Sequence, residues 1–169
     1  MKSRPTEEAY EFRAALANDL SKTSSMLQKQ PGLLDQPVYG TSESALHFYS
    51  TENQIDIVKW LLDHGANPNG VSGGDSPLHS AAQLGHLSVC QALLKARAKP
   101  NLINNLEETA LHKASTNGYI DIIQTLLNSG ADPNIKEMCG ELPIDQALPR
   151  KLEQIRSVFK NHSQNDKNG

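Results

Sequence analysis

The chain has little of several things, and each shortage removes a class of protein. Among 169 residues there are only two cysteines, Cys90 and Cys139, too few for a disulfide framework. Aromatic residues make up 5% and hydrophobic residues 37%, which suits a thin, extended architecture better than one thick core. No apolar run approaches the roughly 18–20 residues that span a bilayer. Met1 to Glu8 is charged, with no apolar stretch behind it, which argues against a secretory leader. The net charge of −3 leaves no global basic footprint for nucleic acid. There is no phosphate-cradling Gly-x-x-x-x-Gly-Lys loop, and no second carboxylate shares a defined pocket to divide acid and base roles. These shortages set the expectation of a soluble monomer in a reducing compartment, cytoplasmic or nuclear, with no membrane or nucleic-acid partner. Delivery into another cell stays open.

What the chain has instead is a repeat. Ser44-Ala45-Leu46-His47, Ser76-Pro77-Leu78-His79 and Thr109-Ala110-Leu111-His112 recur, with Leu142-Pro143-Ile144-Asp145 as a worn copy. Their fourth residues lie 32, 33 and 33 positions apart, a period that marks a stacked array. Gly65-Ala66-Asn67-Pro68-Asn69, Arg97-Ala98-Lys99-Pro100-Asn101 and Gly130-Ala131-Asp132-Pro133-Asn134 recur in phase with them. Between these markers the apolar quartets Ile57/Val58/Leu61/Leu62, Val89/Cys90/Leu93/Leu94 and Ile122/Ile123/Leu126/Leu127 have helical spacing. One helix pair cannot bury such a stripe alone, whereas stacked neighbours bury it on both sides. Ser76 is placed to cap a first helix, Pro77 to open it and Gly85 to end it; a second helix follows over about Leu87 to Ala96.

The sequence resembles the ankyrin repeat, whose Thr-Pro-Leu-His-x-Ala motif and 33-residue period it reproduces over about residues 39–160. Ser76-Pro77-Leu78-His79-Ser80-Ala81-Ala82 with Gly85-His86-Leu87 carries the likeness furthest. The resemblance implies an all-α solenoid of stacked helix-turn-helix units with projecting β-hairpin-like loops. The expected organisation is a flexible start over 1–7, a diverged capping helix pair over 8–38, repeats over 39–70, 71–103 and 104–136, a capping repeat over 137–160 and a disordered tail over 161–169. Ala14-Ala15, Asn18-Asp19-Leu20 and Met26-Leu27 match positions of the second full repeat at one constant offset, which places the N-terminal cap. Arg97 stands where the family has glycine, Tyr49-Ser50 replace a small Ala-Ala pair, and Trp60 is expected in the core.

Chemistry at individual residues has little support. Equivalent histidines His47, His79 and His112 lie one layer apart, about 10 Å, too far to share a metal with ligands at about 2 Å. Each is expected to tie a loop backbone group to its helix, so neither metal nor cofactor is expected. Cys90 falls in an apolar quartet and Cys139 at a loop tip. The expected function is non-enzymatic: an adaptor, inhibitor or effector that binds another protein.

By the resemblance, partners contact loop tips and the exposed side of the first helices. The matching positions are Gly40, Thr41, Glu43, Thr51 and Glu52, then Ser72, Gly73, Asp75, Gln83 and Leu84. They continue with Asn105, Leu106, Glu108, Thr116 and Asn117, and end at Met138, Cys139 and Glu141. The charges in this set are all acidic, with Glu107 and Glu137 beside them, while Leu84, Leu106 and Met138 are apolar where solvent is expected. An apolar anchor ringed by one sign of charge suits a partner segment with basic and apolar groups; the alternative is a merely solvated face. Two further alternatives are a structural scaffold and a substrate for asparaginyl hydroxylation at Asn69, Asn101 and Asn134. The proline before each of these asparagines departs from the family's more usual valine.

Overall fold

A computed structural model describes residues 7–35 and 43–165. The described residues are helical: α1 (Glu7–Asn18), α2 (Leu20–Lys29), α3 (Ala45–Thr51), α4 (Ile55–Asp63), α5 (Pro77–Leu84), α6 (Leu87–Lys95), α7 (Ala110–Asn117), α8 (Ile120–Asn128) and α9 (Leu152–Asn165). Short 3-10 turns cover Pro31–Asp35 and Pro149–Lys151. None of these helices is long and apolar enough to cross a membrane. First helices form one row, α3 against α5 against α7. Second helices form the other, running α4, α6, α8 and α9. One apolar core runs between the rows from Phe12 to Ile155.

The sequence signals account for the helix ends. Ser76 is extended (φ −89°, ψ 165°), Pro77 opens α5, and the His79 amide donates to Ser76 Oγ at 3.5 Å. In return the Ser76 amide donates to His79 Nδ1 at 3.3 Å, so histidine closes the capping box that glutamate usually closes. Thr109 and His112 repeat this, with the Thr109 amide donating to Nδ1 at 3.1 Å. In the worn fourth copy Asp145 takes the histidine's place and accepts from the Leu142 amide at 3.0 Å. No full helix follows there. Two overlapping turns carry the chain to Leu148, whose amide donates to the Ser115 carbonyl. The left-handed helix ends are Gly85 (φ 81°), Gly118 (φ 73°) and, in the first full repeat, Asn53 (φ 55°). Asparagine tolerates that region better than other side chains do.

The quartets are buried as the repeat demands, with Val58, Leu61, Val89, Cys90, Leu93, Ile122, Ile123, Leu126 and Leu127 inside. Trp60 is half-buried, packed against the core on one side and stacked on His64 one turn later (3.8 Å, 22°). Of the expected tail over 161–169, residues 166–169 lie outside the described residues. Residues 161–165 continue α9 instead of lacking structure, since extending an existing helix costs far less than starting one. Tyr49 fits by packing edge-on to Phe48 at 5.2 Å and donating its hydroxyl to the Arg13 carbonyl at 3.4 Å.

Arg97 adopts φ 65°, beside φ 90° and 87° at the equivalent Gly65 and Gly130. A side chain in this region costs about 1–2 kcal/mol. The Asn69 amide holds the turn, donating to the Arg97 carbonyl at 3.5 Å and accepting from the Lys99 amide at 2.7 Å. Asn101 spans the next pair of turns in the same way, through the Gly130 carbonyl (3.0 Å) and the Asp132 amide (2.7 Å).

Ser50 and Ser115 occupy the register of Ala82, fully buried, and their hydroxyls have no hydrogen-bond partner. A buried polar group left unpaired costs about 1–3 kcal/mol. Ser115→Ala is therefore expected to raise the melting temperature by about 2–4 °C, taking the gain as about 1 kcal/mol. Thermal unfolding followed by circular dichroism checks this; a lower midpoint would show that the hydroxyl is satisfied in solution.

Candidate partner-binding face

Among the described residues three hairpins project ahead of the helices, and each tip is fixed by its own chemistry. In the second repeat Ser72 and Asp75 pair in both directions (2.8 and 3.1 Å) across Gly73-Gly74, at φ 62° and 105°. Positive φ at both central residues is what a tight hairpin turn requires. Gly74 also lies under Asn105: a Cβ there would meet Asn105 Nδ2 at 2.6 Å. In the third repeat the Asn104 amide donates to the Glu108 carbonyl at 2.9 Å. Asn104 Oδ1 then accepts from the Leu106 and Glu108 amides, both at 2.9 Å. Glu137 does the same one repeat later, its Oε1 accepting from the Cys139 (2.8 Å) and Glu141 (3.0 Å) amides. These bonds hold its carboxyl below the usual carboxylate range.

The third and fourth tips also touch. The Met138 amide donates to the Leu106 carbonyl at 3.0 Å, which sets the two apolar tip residues side by side. Met138 is 59% exposed, Leu106 52% and Leu84, at the end of α5, 47%. Gln83, Glu52, Glu141, Thr116 and Asn117 are exposed around them, and Glu43 is half-exposed. Thr116 and Asn117 spend hydrogen bonds on their own helix, to the carbonyls of His112 (3.0 Å) and Lys113 (2.9 Å). Gly40 and Thr41 lie outside the described residues.

The acidic rim is less uniform than the sequence suggests. Glu137 is buried and serves the turn. Glu108 forms an ion pair with Lys113 on α7, and Asn104 Nδ2 donates to both Glu108 (3.1 Å) and Asp75 (2.8 Å). Lys113 and Asn104 are the site residues that sequence reasoning missed. For Asn104 a signal existed: it stands in phase with Glu137, one period on, where an acceptor closes the tip. For Lys113 the signal was weaker, a lone cation beside His112.

The histidines lie behind this face. His79 Nε2 donates to the Glu108 carbonyl at 2.9 Å, and His112 Nε2 to the Glu141 carbonyl at 3.3 Å. A carbonyl only accepts, so the proton sits on Nε2 and leaves Nδ1 free to accept from the cap. His47 departs from this pattern: its Nε2 meets Ser80 Oγ at 3.0 Å, and its buried Nδ1 has no partner. Burial pushes all three imidazoles below their usual pKa. Among the described residues no three metal-ligating side chains gather. Cys90 is buried, its thiol pushed up to about 12, and Cys139 is exposed at the fourth tip.

A continuous stack of helix pairs with capped ends and projecting hairpins defines a repeat solenoid. The family profile described as "Ankyrin repeats (3 copies)" matches residues 12–104, and that described as "Ankyrin repeats (many copies)" matches residues 97–147. The chain belongs to the ankyrin-repeat family. Human palmitoyltransferase ZDHHC17 is 39% identical over 61 residues, 35% of this chain and 10% of that protein. The Caenorhabditis elegans ANK repeat-containing protein nipk-1 is 36% identical over 93 residues, 49% of this chain and 15% of that protein. Human ankyrin repeat and MYND domain-containing protein 1 is 37% identical over 97 residues, 50% of this chain and 10% of that protein. The matched region thus spans a small fraction of each relative. Ankyrin repeats generally mediate protein–protein contacts and are typically non-enzymatic.

Proposed function

We propose that this chain is a non-enzymatic binding module, an adaptor, inhibitor or effector, that works as a cytoplasmic or nuclear monomer. Its concave face takes a protein segment carrying apolar and basic groups. The observation that carries this reading is the exposure of Leu84, Leu106 and Met138 on α5 and two hydrogen-bonded tips. Large apolar side chains held rigidly in water, with Glu52, Glu107 and Glu141 exposed nearby, favour an apolar anchor flanked by cations. The tips are fixed by Asn104 and Glu137 before any partner arrives, which lowers the ordering cost of association. The bonds that Asn69 and Asn101 make between turns give those amides a structural task.

Affinity capture with the wild type beside a Leu84→Arg/Leu106→Arg variant tests the reading, once both are shown to fold. The expected result is a protein retained by the wild type and lost by the variant. Equal retention by both would place binding elsewhere on the chain.

A further inference from the structure

The outer row of helices carries a second surface with the opposite character. Between α4 and α6 lies an open groove of about 520 Å³ lined by Lys59, Leu62, Asp63, Ala92, Lys95 and Ala96. Its floor is apolar, from Leu62, Ala92 and Ala96. Lys59 and Lys95 stand exposed on its two walls, and neither forms a salt bridge among the described residues; Asp63 is the carboxylate among the lining residues. Arg97 follows directly on Ala96, and Lys99 lies two residues beyond; both are exposed.

Arg97 is the second, independent observation. The equivalent turns use glycine, whose left-handed conformation is free of strain, yet this turn places an arginine at φ 65°. The Asn69 amide holds the strained turn in place. Strain kept where a strain-free residue serves in neighbouring repeats is what a functional position shows. Its consequence is an exposed cation on the residue that follows Ala96, beside a groove whose lining carries two lysines and one carboxylate.

We propose that this groove docks an acidic amphipathic segment of a partner protein, its apolar side on Leu62, Ala92 and Ala96 and its carboxylates on Lys59, Lys95 and Arg97. The net charge of −3 means that no overall field draws in an acidic ligand, so attraction must come from this local cluster. The surface is separate from the concave face and does not depend on its reading.

The probe is a fluorescein-labelled peptide of Glu and Leu, with Leu at i, i+3, i+4 and i+7 so that one helical face is apolar. Anisotropy titration is expected to show saturable binding to the wild type, weakened about tenfold or more by Lys59→Ala/Lys95→Ala/Arg97→Gly. Arg97→Gly alone is the informative variant. It relieves the turn, so it should raise the melting temperature while weakening the peptide, which separates lost contact from lost fold. Leu84→Arg/Leu106→Arg should leave this peptide unaffected. The proposal is overturned by no saturable binding, or by binding that the triple variant leaves unchanged. It is also overturned if the three cations instead govern binding to phosphatidylserine vesicles, or self-association in sedimentation velocity, with no effect on the peptide.

Discussion

Gly85→Ala lowers the melting temperature by about 5–15 °C. Two costs combine. Gly85 sits at φ 81°, where a side chain is strained by about 1–2 kcal/mol. Its added Cβ would also lie 2.8 and 2.9 Å from ring atoms of Tyr119, in the next repeat, and such overpacking costs about 1–3 kcal/mol. Gly65 is the internal control. It has φ 90° but nothing within 4 Å of the added atom, so Gly65→Ala should lose only the backbone part. Removing the ring in Gly85→Ala/Tyr119→Ser should recover the packing part and leave the strain. Equal midpoints for Gly65→Ala and Gly85→Ala would show that Tyr119 is not packed on this turn. Because Gly85 follows Gln83 and Leu84, a shift here also disturbs the concave face.

Acid loosens the array before its carboxylates titrate. His47, His79 and His112 are neutral and buried, with pKa values pushed below the unfolded value of about 6.5. The unfolded chain therefore binds more protons than the folded chain below that pH. The associated stability is complete above about pH 6.5 and is lost as pH falls toward the folded values. Protonation would also put a proton on Nδ1 of His79 and His112, against the amides of Ser76 and Thr109 that donate there. Asp75, Glu108 and Lys113 face His79; Glu108, Glu137 and Lys113 face His112; Glu43 and Asp75 face His47. The carboxylates favour the charged imidazole and Lys113 opposes it, but burial dominates in all three. Glu137 acts in a lower window: its depressed pKa gives stability that is present above the usual carboxylate pKa and lost as pH falls through the folded value. Melting temperatures measured from pH 8 to pH 5 should fall most steeply below about pH 6.5. His79→Gln should be less stable near pH 8, by about 1–3 kcal/mol for the lost cap and loop bonds, and show a shallower fall. An unchanged slope would mean that His79 titrates normally.

The helices and their order were legible because the repeat states its own geometry. Ser76-Pro77 and Thr109 mark helix starts, Gly85 and Gly118 mark ends, and the quartets mark the buried stripe. Residue pairs that depend on which side chain reaches which were not legible. Trp60 found His64, the residue that caps its own helix, and the Glu108–Lys113 pair crosses from loop to helix. His47 lost its loop carbonyl and took Ser80 instead, although its motif matches those of His79 and His112. Glu137 reads as a surface charge and is a turn acceptor, because only folding brings the Cys139 and Glu141 amides round to it. The exposure of Leu84, Leu106 and Met138, by contrast, is what the family resemblance implies for their positions.

The concave face is tested most directly by selecting from a random peptide library against the wild-type chain and screening every recovered sequence against Leu84→Arg/Leu106→Arg. The account predicts a group of peptides with apolar residues flanked by Lys or Arg that bind the wild type and fail on the variant. If every recovered sequence binds both proteins equally, the concave face is not a binding site.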